Sequence, residues 1–97
     1  MNNPERIKEL GKDQRPVLVI SNDEQIAAPL TTDNVDKIEL FEVFIKNTSE
    51  TGLDYPNKIL LNYLFTLDKN LRLEKKLGVA SSEIMIKAKE AWRFAFV

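Results

Sequence analysis

Residues 57–96 read NKILLNYLFTLDKNLRLEKKLGVASSEIMIKAKEAWRFAF, and the fold class turns on how this stretch is taken. Leu60, Leu64, Leu67 and Leu71 follow i, i+4, i+7, i+11 spacing, the signature of an amphipathic helix. Ile59, Leu61, Tyr63 and Phe65 widen the apolar stripe. Asn57 is placed to cap the first turn, and Lys75 and Lys76 suit the negative end of a helix dipole before Gly78. After Gly78, Ser81 or Ser82 provides a second N-cap, with Glu83 in the first turn. Ile84, Ala88, Ala91 and Ala95 form one line, beside Met85, Trp92 and Phe96. The spacing therefore predicts helices over 57–77 and 82–96, joined at Gly78 as a helical corner.

Working outward, the same periodicity predicts a helix over 32–47. Thr32 is its cap, and Ile38, Phe41, Phe44 and Ile45 face the core opposite Asp36, Glu39, Glu42 and Lys46. A strand over 37–46 is the rival, because Phe, Val and Ile are abundant there. Asn47 to Gly52 is a stop signal. Pro29 breaks any helix over 21–32, which reads as a loop. Pro16-Val17-Leu18-Val19-Ile20 reads as a buried strand or extended arm. With no partner strand evident in the chain, it predicts a ribbon with a second copy. Pro4 to Gly11 predicts a short first helix. The fold class expected is mainly α: a compact four-helix domain with one short N-terminal extended segment or strand. It forms one domain over 1–97, with 1–31 as a partly extended arm. Its expected centre includes Ile38, Phe41, Ile45, Leu60, Leu64, Leu67, Leu71, Leu77, Ile84, Ala88 and Trp92.

The 97 residues hold neither cysteine nor histidine. Disulfides, thiolate chemistry, His-based nucleophile–base pairs and the usual zinc sites are thereby excluded. No catalytic constellation is visible, so the sequence predicts no enzyme, no metal and no cofactor. No apolar run is long enough to span a membrane, and Met1 to Glu5 lack a secretory signal, which predicts a cytoplasmic protein. Residues 1–56 carry eleven acids and six bases, while 57–97 carry eight bases and four acids. This asymmetry points to a basic half that faces a polyanion, or to two halves that attract each other when folded.

Leu77-Gly78-Val79, then Ser81 and Ile84, resembles the helix-turn-helix of DNA-binding proteins. Glu74 and Lys87 depart from that motif, which prefers Ala and an apolar residue at those places. The resemblance implies nucleic-acid contacts from Lys75, Lys76, Ser81, Ser82, Lys87, Lys89 and Arg93. The reading placed first is a non-catalytic protein-interaction module, such as an inhibitor, adaptor or assembly factor. It would bind another protein, or itself as a homodimer, through Asp36, Glu39, Glu42 and Phe94. The alternative is a DNA-binding protein using the corner at 73–93.

Overall fold

The computed structural model describes residues 6–10, 15–20, 26–66 and 73–95. Among these, the chain forms seven strands and one α-helix. The strands are β1 (Arg6–Leu10), β2 (Arg15–Val19), β3 (Ile26–Thr31), β4 (Glu42–Ile45), β5 (Asn57–Leu60), β6 (Phe65–Thr66) and β7 (Leu73–Val79). A single 3-10 turn, Leu61–Tyr63, separates β5 from β6, and α1 (Ser82–Ala95) closes the chain. The strands pair antiparallel in the order β4-β5-β3-β2-β1-β7, with β6 also on β3.

This overturns the four-helix expectation. Of the helices expected at 4–11, 32–47, 57–77 and 82–96, only the last is present. The leucine spacing of 57–71 misled because a helical stripe and a strand–turn–strand can share it. Leu60 ends β5, Leu61 enters the 3-10 turn and Leu64 follows it; Leu67 and Leu71 lie outside the described residues. The dense run Ile59-Leu60-Leu61 reflects a strand inside a sheet, where β5 is buried from Asn57 to Ile59. Residues 42–45 do alternate, with Val43 and Ile45 inside and Phe44 outside. An aromatic residue on the outer face disguised the period of two.

The core is built from rows across the strands. Ile7, Leu18 and Ala28 stand opposite one another on β1, β2 and β3, all fully buried. Leu30, Ile59 and Val43 make a second row across β3, β5 and β4. Met85, Ala88 and Ala91 of α1 close over this surface, packing against β4 and the 3-10 turn. Their spacing is helical, so the stripe read from the sequence is the one that docks. Trp92, expected in the core, is 45% exposed. Ile38 is exposed as well.

β2 needs no second copy of the chain. It is hydrogen-bonded to β1 on one side and β3 on the other, so the ribbon argument for a dimer falls. Pro29, read as a loop marker, lies inside β3. The outer edge of β3 pairs with β6 at Ile26 and Ala27, and with β5 at Leu30 and Thr31. Pro29 falls in the gap between these partners, where a missing N–H costs least.

The sheet curls until its two ends meet. The Val79 N–H donates to the Glu50 carbonyl at 2.9 Å, tying β7 to the turn that follows β4. Gly78, expected as the corner between helices, lies within β7 instead, so no helix-turn-helix exists here. A Cβ at Gly78 would strike the backbone of Glu50 and Thr51, and one at Gly52 would strike the Leu77 carbonyl. Two glycines thus let the backbones mesh. Among the described residues, no helix is long and apolar enough to cross a membrane.

Candidate functional site

A cleft of about 380 Å³ opens where β3 ends and the 52–57 segment runs past it. Its walls include Leu30, Thr31, Thr32 and Asp33 from one side and Gly52 to Tyr55 with Asn57 from the other, while Pro16 and Leu77 complete them. The apolar members, Leu30 and Leu53, belong to the core, so the floor is the outer surface of the packed interior.

Local bonding fixes the backbone of each polar wall. Thr31 Oγ1 accepts from the Asp33 N–H at 3.1 Å. Asn47 Nδ2 donates to the Asp54 carbonyl at 3.4 Å. Asn57, only 4% exposed, donates from Nδ2 to the Tyr55 carbonyl at 2.8 Å. Beneath them the 48–52 turn is knotted by two threonines. Thr51 Oγ1 accepts from the Thr48 N–H at 3.0 Å, and Thr48 Oγ1 accepts from the Thr51 N–H at 3.1 Å. Thr51 Oγ1 also donates to the Lys46 carbonyl at 2.9 Å. The turn ends at Gly52, whose φ of +71° is a conformation that side chains disfavour. Asp33, Asp54 and Tyr55 remain exposed on this rigid frame.

The residues expected to bind a partner are scattered rather than aligned. Asp36 and Glu39 are exposed in the turns before β4. Glu42 is engaged in an ion pair instead of facing solvent: its Oε1 accepts from Lys58 Nζ at 2.8 Å and from the Glu39 N–H at 3.0 Å. Burial raises the Glu42 pKa, but the Lys58 hydrogen bond and charge, with the Glu39 N–H, outweigh this and leave it lowered. Phe94 is 59% exposed on α1. Of the nucleic-acid set, Lys75 and Lys76 fall in β7, not on a helix. Ser81 Oγ caps α1 by accepting from the Ile84 N–H at 3.2 Å, and Ser82 opens the helix. Lys87 pairs with Glu83 at 3.5 Å, while Lys89 and Arg93 are exposed.

The cleft residues Asp33, Asp54, Tyr55 and Asn57 were missed, having been taken as caps and connectors. The signal that could have found them is the run Thr48-Ser49-Glu50-Thr51-Gly52 followed by Asp54-Tyr55-Pro56. A turn-rich, polar segment leading into an apolar run marks a loop held against a sheet.

Solved structures with this fold were found by comparison. An Mtb toxin shares 21% identity with TM-score 0.77, covering 94% of this chain and 100% of that one. The Mycobacterium tuberculosis toxin MazF-mt6 shares 24% identity with TM-score 0.75, covering 97% and 96%. An endoribonuclease from a mycobacterial species in complex with its cognate antitoxin shares 21% identity with TM-score 0.71, covering 98% and 93%. No curated protein matches the chain by sequence.

Residues 1–96 match the family model of the PemK-like, MazF-like toxin of type II toxin-antitoxin systems. That match overturns the reading as a non-catalytic inhibitor, adaptor or assembly factor, and the alternative of a helix-turn-helix DNA-binding protein. The expectation of no enzyme falls with them, since the family model is that of these toxins, and solved structures of the same fold are described as endoribonucleases. A protein partner is retained in its coarse form, because toxins of these systems work with an antitoxin. With the family model spanning all but the last residue, the chain belongs to the PemK-like, MazF-like toxin family of type II toxin-antitoxin systems.

Proposed function

We propose that the chain is an endoribonuclease toxin of the cytoplasm, which binds single-stranded RNA at the 31–33/52–57 cleft and is silenced by an antitoxin protein. The family match over residues 1–96 carries this reading, and the open, polar cleft on a rigid frame supports it. RNA supplies its own nucleophile. The 2′-oxygen attacks the adjacent phosphorus and the 5′-oxygen leaves, giving a 2′,3′-cyclic phosphate and a 5′-hydroxyl. The 2′-proton is passed on, the leaving oxygen gains one, and no water is consumed.

Charge that builds on the phosphoryl oxygens needs a cation or donor already in place. The described cleft walls hold Asp33 and Asp54 but no lysine or arginine. Three basic residues adjoin the walls along the chain: Arg15 before Pro16, Lys58 after Asn57 and Lys76 before Leu77. Lys58 is engaged by Glu42; of the other two we assign Arg15 the scissile phosphate. With no histidine in the chain, proton transfer falls to carboxylate, hydroxyl or water. Lys75, Lys76, Lys87, Lys89 and Arg93 lend attraction for the RNA backbone, which makes binding salt-dependent. Exposed Asp36, Glu39 and Phe94 are offered as contacts for the antitoxin or a second copy.

The test is incubation of the purified chain with an end-labelled RNA and its all-deoxy copy. RNA cut to discrete products beside intact DNA is expected; RNA left whole sinks the reading. In the same assay, Arg15→Ala is expected to lower kcat by about 10²- to 10³-fold.

A further inference from the structure

We infer that the cleft seats one unpaired nucleobase, stacked on Tyr55 and read through its exocyclic amine by Asp54 and Asp33. The inference rests on the endoribonuclease reading above and names what the same cleft selects. Three observations lead to it. First, the described walls carry two exposed carboxylates, Asp33 and Asp54, which repel a phosphate set directly against them and accept hydrogen bonds from uncharged amino groups. Second, Tyr55 borders the cleft and is 68% exposed, an aromatic surface left to solvent at considerable hydrophobic cost. Single-stranded nucleic acids are held on such platforms because every base presents a π-face. Third, the platform is fixed from below, where buried Asn57 holds the Tyr55 carbonyl at 2.8 Å. With the backbone held, only the two side-chain torsions of Tyr55 remain to be ordered when a base settles on it.

The acceptors then decide which base is accepted. An ionised carboxylate only accepts hydrogen bonds, so it pairs with the amino groups of adenine, cytosine or guanine. Uracil carries a carbonyl oxygen where cytosine carries its amine, so a carboxylate placed for the amine faces an acceptor there and only the neighbouring N3–H is left to donate. The phosphate of that nucleotide is left to the basic residue assigned to it in the proposed function, so the carboxylates and Tyr55 read the base.

The experiment is to map one cleavage site in a mixed RNA, then replace each flanking base by its amine-free counterpart. Adenine becomes purine, guanine becomes inosine and cytosine becomes uracil, one position at a time. At one position, loss of the amine is expected to lower kcat/KM by about ten- to hundredfold. Asp54→Asn or Asp33→Asn is expected to flatten or invert this preference, because an amide can donate to a carbonyl. Tyr55→Ala is expected to lower kcat/KM about tenfold on every base, and Tyr55→Phe to recover most of it. All three residues are exposed, and circular dichroism checks that the variants fold. RNA cleaved equally well with every amine removed overturns the inference while leaving the endoribonuclease reading intact. So does a base preference unmoved by Asp54→Asn, Asp33→Asn and Tyr55→Ala, which would free the cleft for a basic side chain of the antitoxin. Absence of cleavage on any RNA overturns both.

Discussion

Glu42→Ala is expected to cost about 3–5 kcal/mol at pH 7, the range found when one partner of a buried ion pair is removed. Lys58 is only 7% exposed and its ammonium has two named acceptors, Glu42 Oε1 at 2.8 Å and the Lys37 carbonyl at 3.1 Å. Losing the carboxylate leaves a buried charge with the carbonyl alone. Small domains are stable by about 5–15 kcal/mol in total, so this one change threatens the fold. Urea unfolding measures it. The double variant Glu42→Ala/Lys58→Met is expected to regain most of the loss, since the buried charge is gone. A Glu42→Ala cost below about 1 kcal/mol would show the pair to be screened like a surface bridge.

The pH dependence has a definite sign. Because the folded Glu42 pKa is lowered from its ordinary 4.5, the folded state binds this proton less readily than the unfolded one. The stabilisation is therefore complete above that ordinary value and fades as pH falls through the folded pKa. Wild type and Glu42→Ala should differ most near neutrality and approach each other in acid. A gap that stays constant from pH 7 to pH 3 would refute the assignment.

The second large effect is expected at the meshed glycines. Gly78→Ala puts a methyl group into the backbone of Glu50 and Thr51, and Gly52→Ala puts one into the Leu77 carbonyl. Backbone cannot swing aside as a side chain does. Gly52 also stands at φ +71°, where alanine adds strain of its own. Each substitution should separate β7 from the 48–52 turn and strip the Val79–Glu50 hydrogen bond. A loss of at least about 2 kcal/mol follows for each, or a fall in Tm on the order of 10 °C for a domain this small. Gly52 and Leu77 also line the cleft, so any folded remnant should cleave RNA poorly. A Tm within a few degrees of wild type would mean that the contact is slack.

Helix α1 was legible in the sequence because its signals are local. A serine cap, an acid in the first turn and the stripe Met85, Ala88, Ala91 all lie within one element. The strands were not legible because their evidence is distant. Lys58 reads as a solvent-facing residue until Glu42, sixteen positions earlier, is seen beside it. Phe44 hides the alternation of β4 by standing outside, while Ala27 and Ala28 are buried in succession on β3. The cleft was harder still. Asp33 and Asp54 line one cleft only after β3, β5 and the 48–52 turn are assembled. Neither carries a motif, and no histidine flags the place.

The join between Glu50 and Val79 has a bearing on when, during synthesis, the cleft is complete. A chain leaves the ribosome from its N-terminus onward, and a domain folds as a unit once its parts are present. β7 supplies Leu77 to the cleft and braces the turn beneath it, yet it follows every other described strand in the chain. A nascent chain that has only reached β6 lacks one wall of its site and the brace for another. On the endoribonuclease reading, cleavage therefore waits until β7 has been made, and a chain cut short before it should leave RNA intact.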